Sequence, residues 1–163
     1  MKTSNATLQR TLLILVVLSA VLLTIMFTAN KNTNDDTVPL DMQLVKQGEA
    51  IYGKHCASCH GANLEGQPDW KNRNEQDRLP APPHDETGHT WHHSDQLIFE
   101  LTKFGMVPPN IPEGYESDMP AFENLLSDEK IRAVIEFIKS RWPPEIRKMQ
   151  SQRNASSGDF EKP

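Results

Sequence analysis

Two cysteines are all that this 163-residue chain has, and both fall in one pentapeptide, Cys56-Ala57-Ser58-Cys59-His60. A small domain stapled by disulfides would carry more of them, widely spaced. Aromatic residues are scarce, at 7%, and much of the 37% hydrophobic share sits in a single run near the N-terminus. The rest is poor in apolar side chains for its length. A small domain of that kind needs disulfides, a metal or a cofactor to complete its core. No long basic stretch is present, which argues against nucleic acid as a partner. Lys2 and Arg10 precede the apolar run, so 15 of the 17 basic residues lie beyond it, against 22 acidic ones. An acidic domain gains nothing from anionic lipid headgroups, so any attachment to a membrane must come from elsewhere. No strand alternation and no internal repeat emerges. The expected fold class is all-α: a small domain of three or more helices with long loops, behind one N-terminal transmembrane helix.

That attachment is offered by residues 11–29, TLLILVVLSAVLLTIMFTA, a stretch without a charge and about as long as a hydrocarbon core requires. A cleaved signal peptide is the rival reading, but its apolar region would be shorter and would end at a small-x-small site. Phe27 stands in the wrong place for cleavage after Ala29. The basic residues before the run put residues 1–10 in the cytoplasm and export the remainder. Residues 30–40 are polar and end near Pro39, as a flexible linker would. A domain over 41–143 and a partly disordered tail over 144–163 follow.

Within the domain, a helix is expected from Asp41, with Leu44, Gly48, Ile51 or Tyr52 and His55 at helical spacing. Residues 61–93 read mostly as loop. A second helix restarts at Ser94, a good N-cap, and ends before Gly105, with Leu97, Ile98, Leu101 and Phe104 as its buried face. Prolines at 108, 109, 112 and 120 exclude helix interior from the next loop. The last helix is capped by Ser127, carries Asp128 and Glu129 in its first turn, and aligns Ile131, Val134, Ile135, Ile138 and Trp142 in one stripe. Beyond Pro143-Pro144, EIRKMQ reads as a short exposed turn and NASSGDFEKP as a tail, with the Asn154-Ala155-Ser156 sequon a chance occurrence.

The pentapeptide carries the chemistry. C-x-x-C-H is the pattern of covalent haem attachment. Two thiols one helical turn apart reach the two vinyl groups on one edge of a haem, and the next residue, His60, points an imidazole at the iron. A thioredoxin-like pair would need a strand–turn–helix setting, which is absent, and a zinc site would want a second Cys or His pair with thiolate-type spacing.

At these residues the chain resembles the monohaem cytochrome c family of bacterial electron carriers, over roughly Asp41 to Trp142. Three blocks carry the resemblance: GEAIYGKHCASCHG at 48–61, SDMPAFENLLSDEKI at 117–131 and AVIEFIKSRWP at 133–143. It implies one haem c, bound through Cys56, Cys59 and His60, among helices of which the first and last cross. Gly48 and Tyr52 would then meet Ile135, Phe137 or Ile138. It also implies a methionine as sixth iron ligand from an M-P-x-F loop, which here is Met119, with Met106 the other candidate. A thioether in that place favours ferrous iron and raises the reduction potential. The resemblance further implies that a proline carbonyl, of Pro82 or Pro83, accepts the second His60 nitrogen.

Four histidines, His84, His89, His92 and His93, share one loop with Asp85 and Glu86. They suggest either a second metal site, for copper or zinc, or a solvated loop beside the haem. Trp91 is expected near the haem edge, its indole N–H toward a propionate. The expected function is electron transfer and not enzymatic catalysis: a tethered carrier moving electrons between transient donor and acceptor proteins, with no small-molecule substrate. Its place would be the bacterial cytoplasmic membrane, single-pass, with the haem domain on the periplasmic or outer side. An acidic surface would favour partners with basic docking patches. The alternatives are a small haem reductase or peroxidase, which needs an open iron site, and a fixed haem subunit or sensor.

Overall fold

The computed structural model describes residues 3–29 and 39–156, and within the first helix it describes side chains over 9–24. Two compact units result, residues 1–35 and 36–163. The first holds α1, Thr3–Ala29. Its described apolar side chains, Leu12, Leu13, Leu15 and Leu23 among them, are exposed. Among the described residues no helix is long and apolar enough to cross a membrane. The run expected as an anchor continues past residue 24, where side chains lie outside the described residues. Most of the expected linker, 30–38, and the end of the tail, from 157, lie outside them too.

The second unit is all-helical among its described residues: α2 (Met42–His55), α3 (Ala57–His60), a short 3-10 turn (Thr90–His92), α4 (Asp95–Phe104), α5 (Asp128–Ser140) and α6 (Pro144–Ser156). Helices α2, α4 and α5 each begin at a side-chain cap. Asp41 accepts from the amides of Gln43 and Leu44, Ser94 from that of Leu97, and Ser127 from that of Lys130. Such caps satisfy amides that the helix cannot pair internally, each contributing about 1 kcal/mol.

The centre of the unit is the crossing of α2 and α5. Gly48 makes it possible: a Cβ there would fall 1.9 Å from the Ala133 carbonyl oxygen. One turn on, the Tyr52 ring lies 5.3 Å from that of Phe137. All five residues of the expected α5 stripe are buried, and so are Ala133 and Phe137. Side chains so enclosed contribute roughly 1.5–3 kcal/mol each for the larger ones. One core cluster joins Tyr52, Leu64, Val134, Phe137, Ile138 and Trp142; a second joins Ile98, Phe99, Phe122, Leu126, Ile131 and Ile135.

Two expectations need correction. The buried face of α4 is Ile98 and Phe99, while Leu97 and Leu101 are half-buried and Phe104 is 45% exposed. Phe104 lies at the last turn and lines an open hollow instead of the core. The short turn expected after Pro144 is a helix of 13 residues. Proline suits its first position, where no amide is required, and Glu145 and Arg153 sit at the ends that the helix dipole favours. What docks α6 is Ile146 against the first cluster and a buried glutamine, Gln150, which a search for apolar stripes passes over.

Candidate haem-binding site

The C-terminus of α2 runs directly into the pentapeptide. The Cys56 amide donates to the Tyr52 carbonyl, and the amides of Cys59 and His60 both donate to the Cys56 carbonyl. The two cysteines and the histidine therefore share one turn. Gly61 closes it with a φ of +82°, a region that favours glycine. The Tyr52 hydroxyl reaches over the turn and donates to the Gly61 carbonyl at 3.0 Å. Both cysteines are free thiols, Cys56 half-buried and Cys59 exposed. Burial, with Cys59 adding to it, pushes the Cys56 thiol up to about 11.

His60 is buried, and its Nδ1 donates to the Pro82 carbonyl at 2.9 Å. Of the two adjacent prolines, Pro82 is thus the acceptor. A proton fixed on Nδ1 leaves the lone pair on Nε2, the form in which an imidazole ligates a metal. Burial lowers the His60 pKa, against the opposing effect of the Pro82 bond. A neutral ring results at neutral pH. His84 stacks on it, with centroids 4.0 Å apart and planes 22° from parallel. Burial, then the His60 and His89 rings, hold the His84 pKa well below the ordinary value. His84 is itself tied down, through Nδ1 to the Thr90 hydroxyl at 2.8 Å and through its carbonyl, which accepts from the Trp142 indole at 2.7 Å.

Met119 lies on a different loop. It is half-buried against the second core cluster. That loop is pinned downstream, where the amides of Phe122 and Glu123 donate to the carbonyls of Thr102 and Lys103 at the end of α4. Met119 and Met106, the two sequence candidates, line one open hollow of about 360 Å³ with Phe104, Tyr115 and Arg78. His60 does not line it. Arg78 is a residue that sequence reasoning missed. Its guanidinium bonds Glu116 at 3.1 Å and also Asp118, bracing the segment just before Met119. Nothing local announces such a pairing, since about 40 residues separate the partners.

The histidine-rich loop does not converge. His89 stacks on Trp70 at 5.4 Å and meets His93 edge-on, and His92 stacks on Trp91 at 3.6 Å. Among the described residues no three His, Cys, Asp or Glu side chains form a group that could hold a metal ion. Trp91 packs against the first core cluster, and its buried indole nitrogen has no hydrogen-bond partner. A buried donor without an acceptor costs about 1–3 kcal/mol.

These features fit a covalent haem: two free thiols and an oriented imidazole on one turn, and a buried donor lacking the acceptor that a haem carboxylate would supply. The comparisons agree. A family model described as cytochrome c matches residues 45–142. The Cbb3-type cytochrome c oxidase subunit FixP of Sinorhizobium medicae (strain WSM419) is 25% identical over 96 residues, 59% of this chain and 29% of that protein. The match thus spans less than a third of that relative's length.

Proposed function

The chain belongs to the cytochrome c family, and on that premise we propose that it is a single-haem electron carrier tethered to the outer face of a bacterial cytoplasmic membrane. The observation that carries the proposal is the turn 56–60. Its two thiols are free, and its His60 is oriented through Pro82 to present Nε2. When bound, a haem supplies an iron that takes up and releases one electron. Cys56 and Cys59 would hold the ring through thioethers, so that a thin protein shell could not lose it. His60, its ring fixed by Pro82 and His84, would ligate the iron. Met119, on a loop braced by Arg78 and by the end of α4, would be the second protein ligand. Two such ligands would limit rearrangement on electron transfer and keep small ligands off the metal.

The anchor belongs to the same proposal. α1 is 27 residues long, about 40 Å at the usual helical rise. The uncharged sequence of 11–29 and the exposure of its described leucines support a place in lipid. Protein sequencing of the mature N-terminus and detergent extraction of membranes test it. A chain that begins at or beyond residue 30 and is washed off by salt overturns it.

The similarity to an oxidase subunit favours a second reading, in which the haem domain stays fixed in a larger complex. Purification in mild detergent separates the two. A carrier leaves the column alone, and a fixed subunit keeps stoichiometric partners.

The visible spectrum of the ferric protein tests the site. A methionine sulfur on ferric haem gives a weak far-red band, which Met119→Ala abolishes while leaving the haem attached. A wild-type spectrum without the band means an open or histidine-filled sixth position, and then a reductase, peroxidase or sensor becomes the better reading.

A further inference from the structure

The family match ends at residue 142, and α6 begins at Pro144. This helix lies beyond the matched region, yet its interior face is polar and enclosed. Gln150 is 1% exposed. Its Nε2 donates to the Asp95 carboxylate at 2.6 Å, to the Asn154 side-chain oxygen at 3.2 Å and to the His93 carbonyl at 3.3 Å. The Asn154 oxygen in turn accepts from the Asp95 amide at 2.7 Å. The other Asp95 oxygen accepts from Lys139 of α5 at 2.7 Å. Arg153 also reaches the His92 ring, at 3.4 Å. The hydrogen bonds by which α6 reaches beyond itself in this network fall on His92, His93 and Asp95, in the stretch that follows Trp91 and leads into α4.

On the other side, the same segment is held by Thr90, which bonds the His84 ring. Trp91 sits between these two attachments, stacked on His92, with its buried N–H lacking a partner. Ile146 of α6 packs on the same core cluster as Trp91. A network of buried, mutually satisfied groups is rigid, and losing one donor strands the others.

Resting on the haem reading above, we propose that α6 is a strap, and that Gln150 and Asn154 are positioning residues. They hold residues 91–95 so that the Trp91 indole donates to a propionate carboxylate of the haem. A donor there offsets part of the propionate's negative charge. That charge favours ferric iron, so weakening the bond lowers the reduction potential.

The experiment is a potentiometric titration of the full haem-loaded chain in four forms: wild type, Gln150→Met, Trp91→Phe and the double variant. Methionine keeps the volume of Gln150 and removes its donors. The expected result is a lower potential in each single variant and no further drop when Gln150→Met is added to Trp91→Phe. The indole N–H of Trp91 should also exchange with solvent on the order of tenfold faster in Gln150→Met. A potential unchanged by Gln150→Met, or one lowered equally with and without Trp91, overturns the strap's action through the indole. If Gln150→Met does not fold, Asn154→Ala at the end of α6 is read by the same criteria. Haem that survives denaturation on the wild-type chain is checked first. Its absence overturns the haem reading and the proposal with it, whereas an intact covalent haem with additive shifts overturns the strap alone.

Discussion

Gly48 and Ala133 meet backbone to backbone, so closely that a methyl group on the first would stand 1.9 Å from the carbonyl oxygen of the second. Helix propensity alone favours alanine over glycine by about 1 kcal/mol. At Gly48 the overlap with fixed backbone outweighs that gain. Gly48→Ala should lose about 1–3 kcal/mol in a denaturant titration, because α2 and α5 must move apart. Gly53, on the same helix, is exposed and has nothing within 4 Å of its would-be Cβ. Gly53→Ala should therefore gain roughly 0.5–1 kcal/mol. Equal effects at the two sites would mean that the crossing is looser than the structure places it.

A second prediction concerns Lys139. It is paired with Asp95 at 2.7 Å and Glu136 at 3.4 Å, and all three side chains are at most 17% exposed. Burial alone pulls its pKa down, but the two carboxylates outweigh that and leave it raised. Lys139→Met would strand two enclosed carboxylates, one of which also receives Gln150. The expected loss is about 3 kcal/mol or more in denaturant. Most of it should return when Asp95 and Glu136 are neutralised as well, by Asp95→Asn and Glu136→Gln. A loss that persists in the triple variant would place the cost in packing and not in stranded charge.

Arg78 supplies a contrast, since its partners Glu116 and Asp118 are exposed. Screened pairs of that kind contribute little to global stability. Arg78→Ala should leave the denaturation midpoint where it is and speed amide exchange in residues 115–119. In the haem-loaded protein it should also make the far-red band proposed for Met119 weaken at a lower temperature. A shifted midpoint with unchanged loop exchange would show that Arg78 supports the core and not the loop.

Much of this architecture is written locally. Asp41, Ser94 and Ser127 mark three helix starts, and the α5 stripe from Ile131 to Trp142 is buried as its spacing requires. The pentapeptide identifies itself, because its chemistry depends on neighbours in sequence. What depends on the path of a loop is illegible. Pro82 and Pro83 differ by one residue, and only the course of the chain decides whose carbonyl faces His60. Phe99 and Phe104 are equally apolar, yet one enters the core and the other lines the hollow beside Met119. α6 escapes for another reason. Its docking rests on Gln150 and Asn154, and polar residues signal burial only once their partners are known.

The last prediction is a fall in stability confined to alkaline pH. Burial raises the Tyr52 phenol above its ordinary value near 10, and nearby Cys56 and acidic groups raise it further. Lys139 is raised above its ordinary 10.5. Each group thus binds its proton more tightly in the folded chain than in the unfolded one. Their stabilising contributions are complete below pH ~10 and are lost as pH rises, each at up to about 1.4 kcal/mol per pH unit. Stability should therefore stay flat with respect to these two groups through neutrality and bend downward above pH ~10. Tyr52→Phe separates them. It removes the phenol, and with it a hydroxyl that bonds the Gly61 carbonyl beside His60. Below the bend the variant should be less stable by about 1 kcal/mol, the net value of one such bond. Above the bend its slope should be shallower than that of the wild type, so the two curves converge as pH rises. Parallel curves through that range would mean that the phenol ionises as freely in the fold as in water, and that Tyr52 is not enclosed against Phe137 as described.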